Sequence, residues 1–152
     1  MSVTVIFTDG RLLETDPFDM AERAAEVFPV GERVPGAPGE GFDLLAWHAA
    51  VAGDPETARA THLIARAADE FEATIPFDQL GGALLQYATD GRPLVRGGPI
   101  RLYVPDGTSA CLNVKSVVRL RFVRDGSLGP EASYGFRNEV SPERLAKGLK
   151  FR

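Results

Sequence analysis

Alternating hydrophobic and polar residues predict a chain built mainly from short β-strands. Residues 2–8 alternate and are rich in β-branched side chains, and Asp9-Gly10 supplies a tight turn into a partner strand at 11–14. The longest alternating run covers 114–123, which is the pattern of a strand with one buried and one exposed face. Its two predicted faces are Val117, Arg119, Arg121 and Val123 on one side and Val118, Leu120 and Phe122 on the other.

Further strands are predicted between these two segments. Residues 61–68 fit a strand better than a helix, because Asp69-Glu70 can turn the chain into a hairpin partner at 71–75. The remaining predicted strands are 84–88, which leads to a tight turn at Asp90-Gly91, and 100–104.

A few helices are predicted around these strands. Asp16-Pro17 combines an N-cap residue with proline at the first helical position, and it predicts a helix over 18–28. Residues 42–52 are apolar on most sides, which indicates a mostly buried helix. Shorter helical signals are a turn opening at Pro76 and a final helix beginning at Ser141. The sum predicts an α+β fold with mostly antiparallel strands and peripheral helices.

The composition is that of one globular domain spanning residues 1–152. Of the 152 residues, 44% are apolar and 25% charged, which is ordinary for a folded domain. The net charge of −4 supplies no general basic field, so neither nucleic acid nor an anionic membrane is an expected partner. The sequence lacks an apolar run of the ~20 residues that span a bilayer and lacks a signal-peptide pattern. With Cys111 as the only cysteine, these features predict a cytoplasmic protein.

Cationic and turn residues converge at 96–117 and predict an anion site. Arg96 and Arg101 flank or enter the strand at 100–104, and Lys115 stands at the start of the next strand. Gly97, Gly98 and the turn from Gly107 to Ser109 can bring backbone N–H groups close to a ligand. Ordinary turns and solvated edge arginines have the same composition, so spacing alone leaves both interpretations open.

The order of these motifs resembles the molybdopterin-binding domain of the sulfite oxidase family. The shared features are a D-G turn followed by Pro-Leu, then Gly-x-Pro-x-Arg, a β-run ending in Pro, and Val-Lys about a dozen residues later. The resemblance covers roughly residues 61–124 and implies that fold. By motif position it implies that Arg101 and Lys115 contact the pterin and its phosphate, while Arg96 replaces the family's usual histidine. The residues expected to bind cofactor are Arg96, Gly98, Arg101, Ser109 and Lys115.

The chain departs from the family at the metal. Family members supply a cysteine thiolate to molybdenum from a segment upstream of the motif, and no cysteine precedes residue 75 here. Cys111 lies within the turn between Arg101 and Lys115 instead. Thiolate is the natural protein anchor for such a metal, so we expect no metal and no oxygen-atom transfer of the family type.

Neither histidine belongs to a metal-ligand spacing. His48 lies among apolar residues of a predicted helix and is interpreted as packed. His62 shares a strand face with Arg66 and could line a polar pocket.

The leading hypothesis is a shortened, degenerate and non-catalytic member that binds a pterin such as molybdopterin, or another phosphate-bearing small molecule, at most. One alternative is a molybdenum-dependent oxidoreductase that works with a partner subunit. Another is a protein-interaction module whose old pocket is filled by side chains.

Overall fold

Short strands dominate residues 2–136, which are the residues that the computed structural model describes. The strands are β1 (Val3–Ile6), β2 (Leu12–Thr15), β3 (Phe28–Pro29), β4 (Glu40–Asp43), β5 (His62–Ala67), β6 (Phe71–Pro76), β7 (Leu84–Thr89), β8 (Arg92–Pro93), β9 (Arg101–Tyr103), β10 (Val117–Val123) and β11 (Ser133–Phe136). The helices are α1 (Pro17–Arg23), α2 (Leu44–Val51) and α3 (Pro55–Ala58). Single 3-10 turns occupy Val30–Glu32, Phe77–Gln79, Ala110–Leu112 and Gly126–Leu128. The helix predicted from Ser141 lies outside the described residues.

The strands form two sheets. The larger has the order β11-β6-β5-β10-β1-β2, in which β1 and β10 run parallel and the other neighbours antiparallel. The smaller has the order β3-β4-β7-β8, and β9 also pairs with β7. The α+β prediction is confirmed, since mostly antiparallel sheets carry a few short helices. No helix within 2–136 is long and apolar enough to cross a membrane.

One hydrophobic core joins both sheets and α2. Leu63 of β5 and Phe122 of β10 come from the larger sheet, and Leu85 of β7 comes from the smaller one. Trp47 of α2 is 1% exposed and lies 6.3 Å from the Phe122 ring, centroid to centroid. Burying large aromatic and aliphatic side chains of this kind contributes roughly 1.5–3 kcal/mol each, so α2 is fixed to the sheets by packing.

The hairpin of β5 and β6 follows the sequence prediction, whereas β10 departs from it. Val117 pairs with Ala67 and Arg119 with Arg66, so Val118 is an extra residue on β10. This bulge changes the alternation of faces, and Val117 is fully buried on the core side together with Leu120 and Phe122. The predicted placement of Val117 on the face of Arg119 was therefore wrong.

The helices are shorter than predicted. Asp16 caps α1 as predicted, since its carboxylate accepts hydrogen bonds of 3.0 Å from the N–H groups of Phe18 and Asp19. The helix ends at Arg23 rather than 28, because Ala25 has a φ of 74°, which a helix cannot continue. Phe42 belongs to β4, and α2 begins two residues later at Leu44.

Candidate functional site

A cavity of about 760 Å³ opens beside the hairpin of β7 and β8. Three arginines line it: Arg92 of β8, Arg96 in the following loop and Arg101 of β9. Asp90 is the acidic residue of the lining, so the wall carries a net positive charge. Among the described residues, no carboxylate forms an ion pair with any of the three arginines. Within residues 2–136, an anion that enters the cavity therefore has no ion pair of these arginines to break.

Hydrogen bonds from neighbouring segments hold the cavity wall. The Asp90-Gly91 turn places both residues at positive φ, and the N–H groups of both donate to the carboxylate of Glu40 at 3.3 and 2.8 Å. The buried Gln86 amide donates from Nε2 to the Pro38 carbonyl at 3.0 Å. The hairpin is thus fixed to β4 and to the loop that precedes it.

Arg101 is the most enclosed of the three arginines. It pairs in register with Gln86 across β9 and β7, and its Cζ atom lies 5.1 Å from the centroid of the Tyr103 ring. Its Nε atom is buried and has no hydrogen-bond partner among the described residues. A buried guanidinium nitrogen without an acceptor is costly, which makes Arg101 the strongest candidate for an anion contact.

Gly97 and Gly98 connect this cavity to the chain around Lys115. The Gly97 carbonyl accepts a hydrogen bond of 2.9 Å from the Ser116 N–H, and Gly97 has a φ of 79°. A Cβ atom on Gly98 would lie 3.0 Å from the Leu94 carbonyl oxygen, so a larger residue would crowd the loop. The glycines therefore serve a tight loop between Arg96 and Arg101.

Lys115 itself lines a different cavity. That cavity has about 240 Å³ and also contains Asp69, Cys111 and Asn113. The structure brings Arg96 and Arg101 together in the first cavity, and the exposed Lys115 side chain is not part of that lining. Its contact with a ligand stays a prediction of the family resemblance.

The turn that contains Ser109 uses its polar groups within the protein. The Gly107 N–H donates to the Val104 carbonyl at 3.0 Å, and the Thr108 N–H donates to Gln79 Oε1 at 3.2 Å. Ser109 Oγ accepts a hydrogen bond of 3.0 Å from the Cys111 N–H and caps the 3-10 turn at 110–112. Ser109 does not line the arginine cavity, and a role in binding remains a prediction.

Sequence reasoning missed Arg92 and Gln86 as lining residues. Arg92 directly follows the Asp90-Gly91 turn, so its position at the hairpin was available as a signal. Gln86 was read only as part of a strand, and its side chain reaches the cavity because it lies opposite Arg101.

His62 is a buried residue whose two ring nitrogens both have partners. The side chain is 3% exposed, and its Nε2 and Nδ1 atoms each lie 2.7 Å from a partner, the Gly129 carbonyl and Thr61 Oγ1. Both ring nitrogens therefore have partners within the protein, and a polar pocket shared with Arg66 stays a prediction.

A family model described as "oxidoreductase molybdopterin binding domain" matches residues 42–130, more than half of the chain. The chain belongs to this family. The match includes the whole arginine-bearing segment and extends beyond the 61–124 that the motifs indicated. No curated protein matches the chain. All three arginines of the cavity therefore lie within the matched region, and Pro38 of its lining lies outside it.

The residues present fit the two parts of the family's cofactor differently. An arginine-lined cavity with an unpartnered Arg101 Nε fits the phosphate of a pterin. Within 2–136, no three His, Cys, Asp or Glu side chains form a group that could hold a metal. The exposed Cys111 lines the cavity of Lys115, away from the arginine-lined wall. The arginine-lined part of the chain fits the organic part of the cofactor, and Cys111 does not line that cavity.

Proposed function

We propose that this protein binds molybdopterin, or another phosphate-bearing small molecule, in the cavity of Arg92, Arg96 and Arg101. The observation that carries the proposal is the buried Arg101 Nε atom, which has no acceptor among the described residues. A phosphate oxygen supplies that acceptor, and the planar guanidinium can bind phosphate through two parallel hydrogen bonds. Arg92 and Arg96 are exposed and add charge at the cavity mouth.

The proposed function is ligand binding alone and does not include catalysis of oxygen-atom transfer. Molybdenum in this family is anchored by a cysteine upstream of the motif, and Cys111 is the chain's only cysteine. Cys111 and the arginines line different cavities. A molybdopterin bound by Arg101 is therefore not positioned to bring a metal to the Cys111 thiol in the way that family members bring it to their cysteine. An exposed free thiol is compatible with a reducing compartment, and we place the protein in the cytoplasm on that ground.

The proposal is tested by analysing the protein purified from a host that makes the molybdenum cofactor. Bound pterin is measured by fluorescence after denaturation and oxidation, and molybdenum is measured by elemental analysis of the same sample. We expect pterin without stoichiometric molybdenum, and loss of the pterin in Arg101→Gln. Arg121→Gln is the matched control, because Arg121 is exposed on β10 outside the cavity lining.

Two results would overturn parts of this proposal. Stoichiometric molybdenum that is retained through purification would refute the non-catalytic part and favour a molybdenum enzyme. Absence of pterin, together with no binding of inorganic pyrophosphate by the purified protein, would refute the binding function and favour an interaction module.

A further inference from the structure

A second cavity, separate from the arginine site, lies at the C-terminal end of α2. It has about 260 Å³, is open to solvent, and is lined by residues at the end of α2, in α3 and in the turn at Phe77–Gln79. It shares no lining residue with the arginine cavity. Most of its wall is apolar and built from alanines, which leave open space where larger side chains would fill it.

His48 gives this apolar wall a polar group. The imidazole is 8% exposed, and its ring centroid lies 4.1 Å from that of Phe122 and 5.8 Å from that of Phe77. Its Nε2 atom is buried and has no hydrogen-bond partner among the described residues. Burying a polar atom without a partner costs about 1–3 kcal/mol, whereas phenylalanine would pack in this aromatic cluster without that cost. Stability therefore does not explain why a histidine occupies this position.

The imidazole is neutral at physiological pH. Burial lowers the pKa of His48 from 6.5 to about 4. A neutral imidazole offers one N–H donor and one nitrogen acceptor, which suits a hydroxyl group because a hydroxyl both donates and accepts.

Arg59 gives the same cavity a positive charge. Its side chain is 69% exposed, and the Glu56 carboxylate lies 3.7 Å away with an exposed side chain of its own. An ion pair of this kind contributes little, so Arg59 can exchange it for the carboxylate of a ligand. The cavity thus combines aromatic and aliphatic walls with a buried neutral imidazole and a cation in contact with solvent.

We propose that this cavity binds a small aromatic acid that carries a hydroxyl group. The ring packs against Phe77 and the alanines, the hydroxyl meets the imidazole of His48, and the carboxylate meets Arg59. The volume lies just below the roughly 300 Å³ at which sites for drug-sized ligands begin, so one ring fits and a larger molecule does not.

The test uses three probes that differ by one group: 4-hydroxybenzoate, benzoate and phenol. Trp47 is the chain's only tryptophan. Its ring centroid lies 6.3 Å from that of Phe122, and the Phe122 ring lies 4.1 Å from that of His48, so its fluorescence should report binding. We expect 4-hydroxybenzoate to bind up to about tenfold more tightly than benzoate, which lacks the hydroxyl group. Its advantage over phenol should be about two- to fivefold, because an exposed ion pair contributes less. In the NMR spectrum the ring resonances of His48 should shift on binding, and those of His62 should not.

Three variants assign the contacts. His48→Phe should lower the affinity for 4-hydroxybenzoate to that for benzoate and leave benzoate unchanged, and Arg59→Gln should weaken both acids but not phenol. Ala52→Leu fills the cavity and should abolish binding of all three probes. Arg92→Gln is the matched control, because Arg92 lines the other cavity.

The proposal is overturned if no probe binds at millimolar concentration. It is also overturned if Ala52→Leu binds as the wild type does, or if His48→Phe keeps the preference for the hydroxylated acid. The Arg92→Gln control shows whether a carboxylate probe binds in the arginine cavity instead. None of these three results concerns pterin or pyrophosphate binding there, so the two functions fail or stand separately.

Discussion

The carboxylate of Glu40 on β4 accepts a hydrogen bond of 2.8 Å from the Gly91 N–H and thereby holds the hairpin turn beside the arginine cavity. The same carboxylate also accepts from the Asp90 N–H at 3.3 Å. Arg92, the first residue after the turn, is positioned by these bonds. The wall of the cavity depends on a residue that comes about fifty positions earlier in the sequence.

Replacing Glu40 should weaken anion binding through the hairpin. Glu40→Ala removes both acceptors, whereas Glu40→Gln removes the same charge but keeps one amide oxygen as acceptor. We expect the Kd for pyrophosphate to be about 2- to 10-fold higher in the alanine variant than in the glutamine variant. Calorimetric titration of both variants measures this difference. Equal affinities would contradict a role of these hydrogen bonds in positioning the hairpin.

Arg101 should matter more than Arg96 for the same ligand. Arg101→Gln should raise the Kd for pyrophosphate about 10- to 100-fold, because hydrogen bonds to charged groups contribute roughly 1.5–3 kcal/mol. Arg96 contributes less, because it is exposed and solvent screens its charge. We expect Arg96→Gln to raise the Kd for pyrophosphate only a few-fold. Titration at low and physiological salt checks both values. An equal loss in the two variants would contradict the special position of Arg101.

The family resemblance and the geometry of the structure disagree about Lys115. The resemblance implies a pterin contact, but the Lys115 side chain lines the cavity that holds Cys111. Lys115→Gln should therefore leave the affinity for pyrophosphate unchanged within about twofold, since an exposed charge outside the cavity is largely screened. A tenfold loss in the same titration would place Lys115 at the ligand and support the motif-based assignment.

The sequence predicted those parts of the fold that local signals determine. The β5–β6 hairpin follows from alternation and a turn at Asp69-Glu70, and the N-cap at Asp16 follows from one side chain and the proline beside it. The bulge at Val118 could not be predicted, because it depends on pairing with Ala67 and Arg66 of a distant strand. Pairing between strands that are distant in sequence leaves no pattern in the local sequence.

The candidate site was predictable to the same extent. Arg96 and Arg101 are near each other in sequence and share one short loop, so a motif brings both to the cavity. Lys115 was grouped with them by motif position, yet the positive φ of 54° at Ser116 and the bulge that follows alter how the chain enters β10. Gln86 reaches the site by register across two strands, which only the sheet reveals.

An ion pair between Arg33 and Asp43 should stabilise the start of α2. The Arg33 Nη1 atom lies 2.6 Å from Asp43 Oδ1, and Asp43 Oδ2 accepts a hydrogen bond of 2.8 Å from the Ala46 N–H. Asp43→Asn keeps the cap and loses the ion pair. We expect it to lower the free energy of unfolding by about 1 kcal/mol. Asp43→Ala loses both and should cost about 2 kcal/mol. Urea unfolding measures both, with the exposed Asp78→Asn as control.

His48 should make the protein less stable in mild acid. Burial lowers its pKa from 6.5 to about 4, so between these pH values the unfolded chain binds a proton that the folded chain does not. Its contribution is complete above pH 6.5 and is lost as the pH falls towards 4, by about 2–3 kcal/mol. Urea unfolding at several pH values should show this slope, and His48→Phe should remove it.

Among the carboxylates with a shifted pKa, Asp19 overlaps that window: its pKa is raised above 3.8, chiefly by the charge of Asp16, and this contribution is equally present in His48→Phe. Asp16, Asp54 and Asp125 have a pKa lowered below 3.8, by hydrogen bonds from backbone N–H groups for the first two and chiefly from the Ser127 hydroxyl for Asp125. Stability that depends on their ionised forms is present above 3.8 and is lost only at more acidic pH, below the window of His48. A slope between pH 4 and 6.5 that persists in His48→Phe would show that the imidazole is not its source.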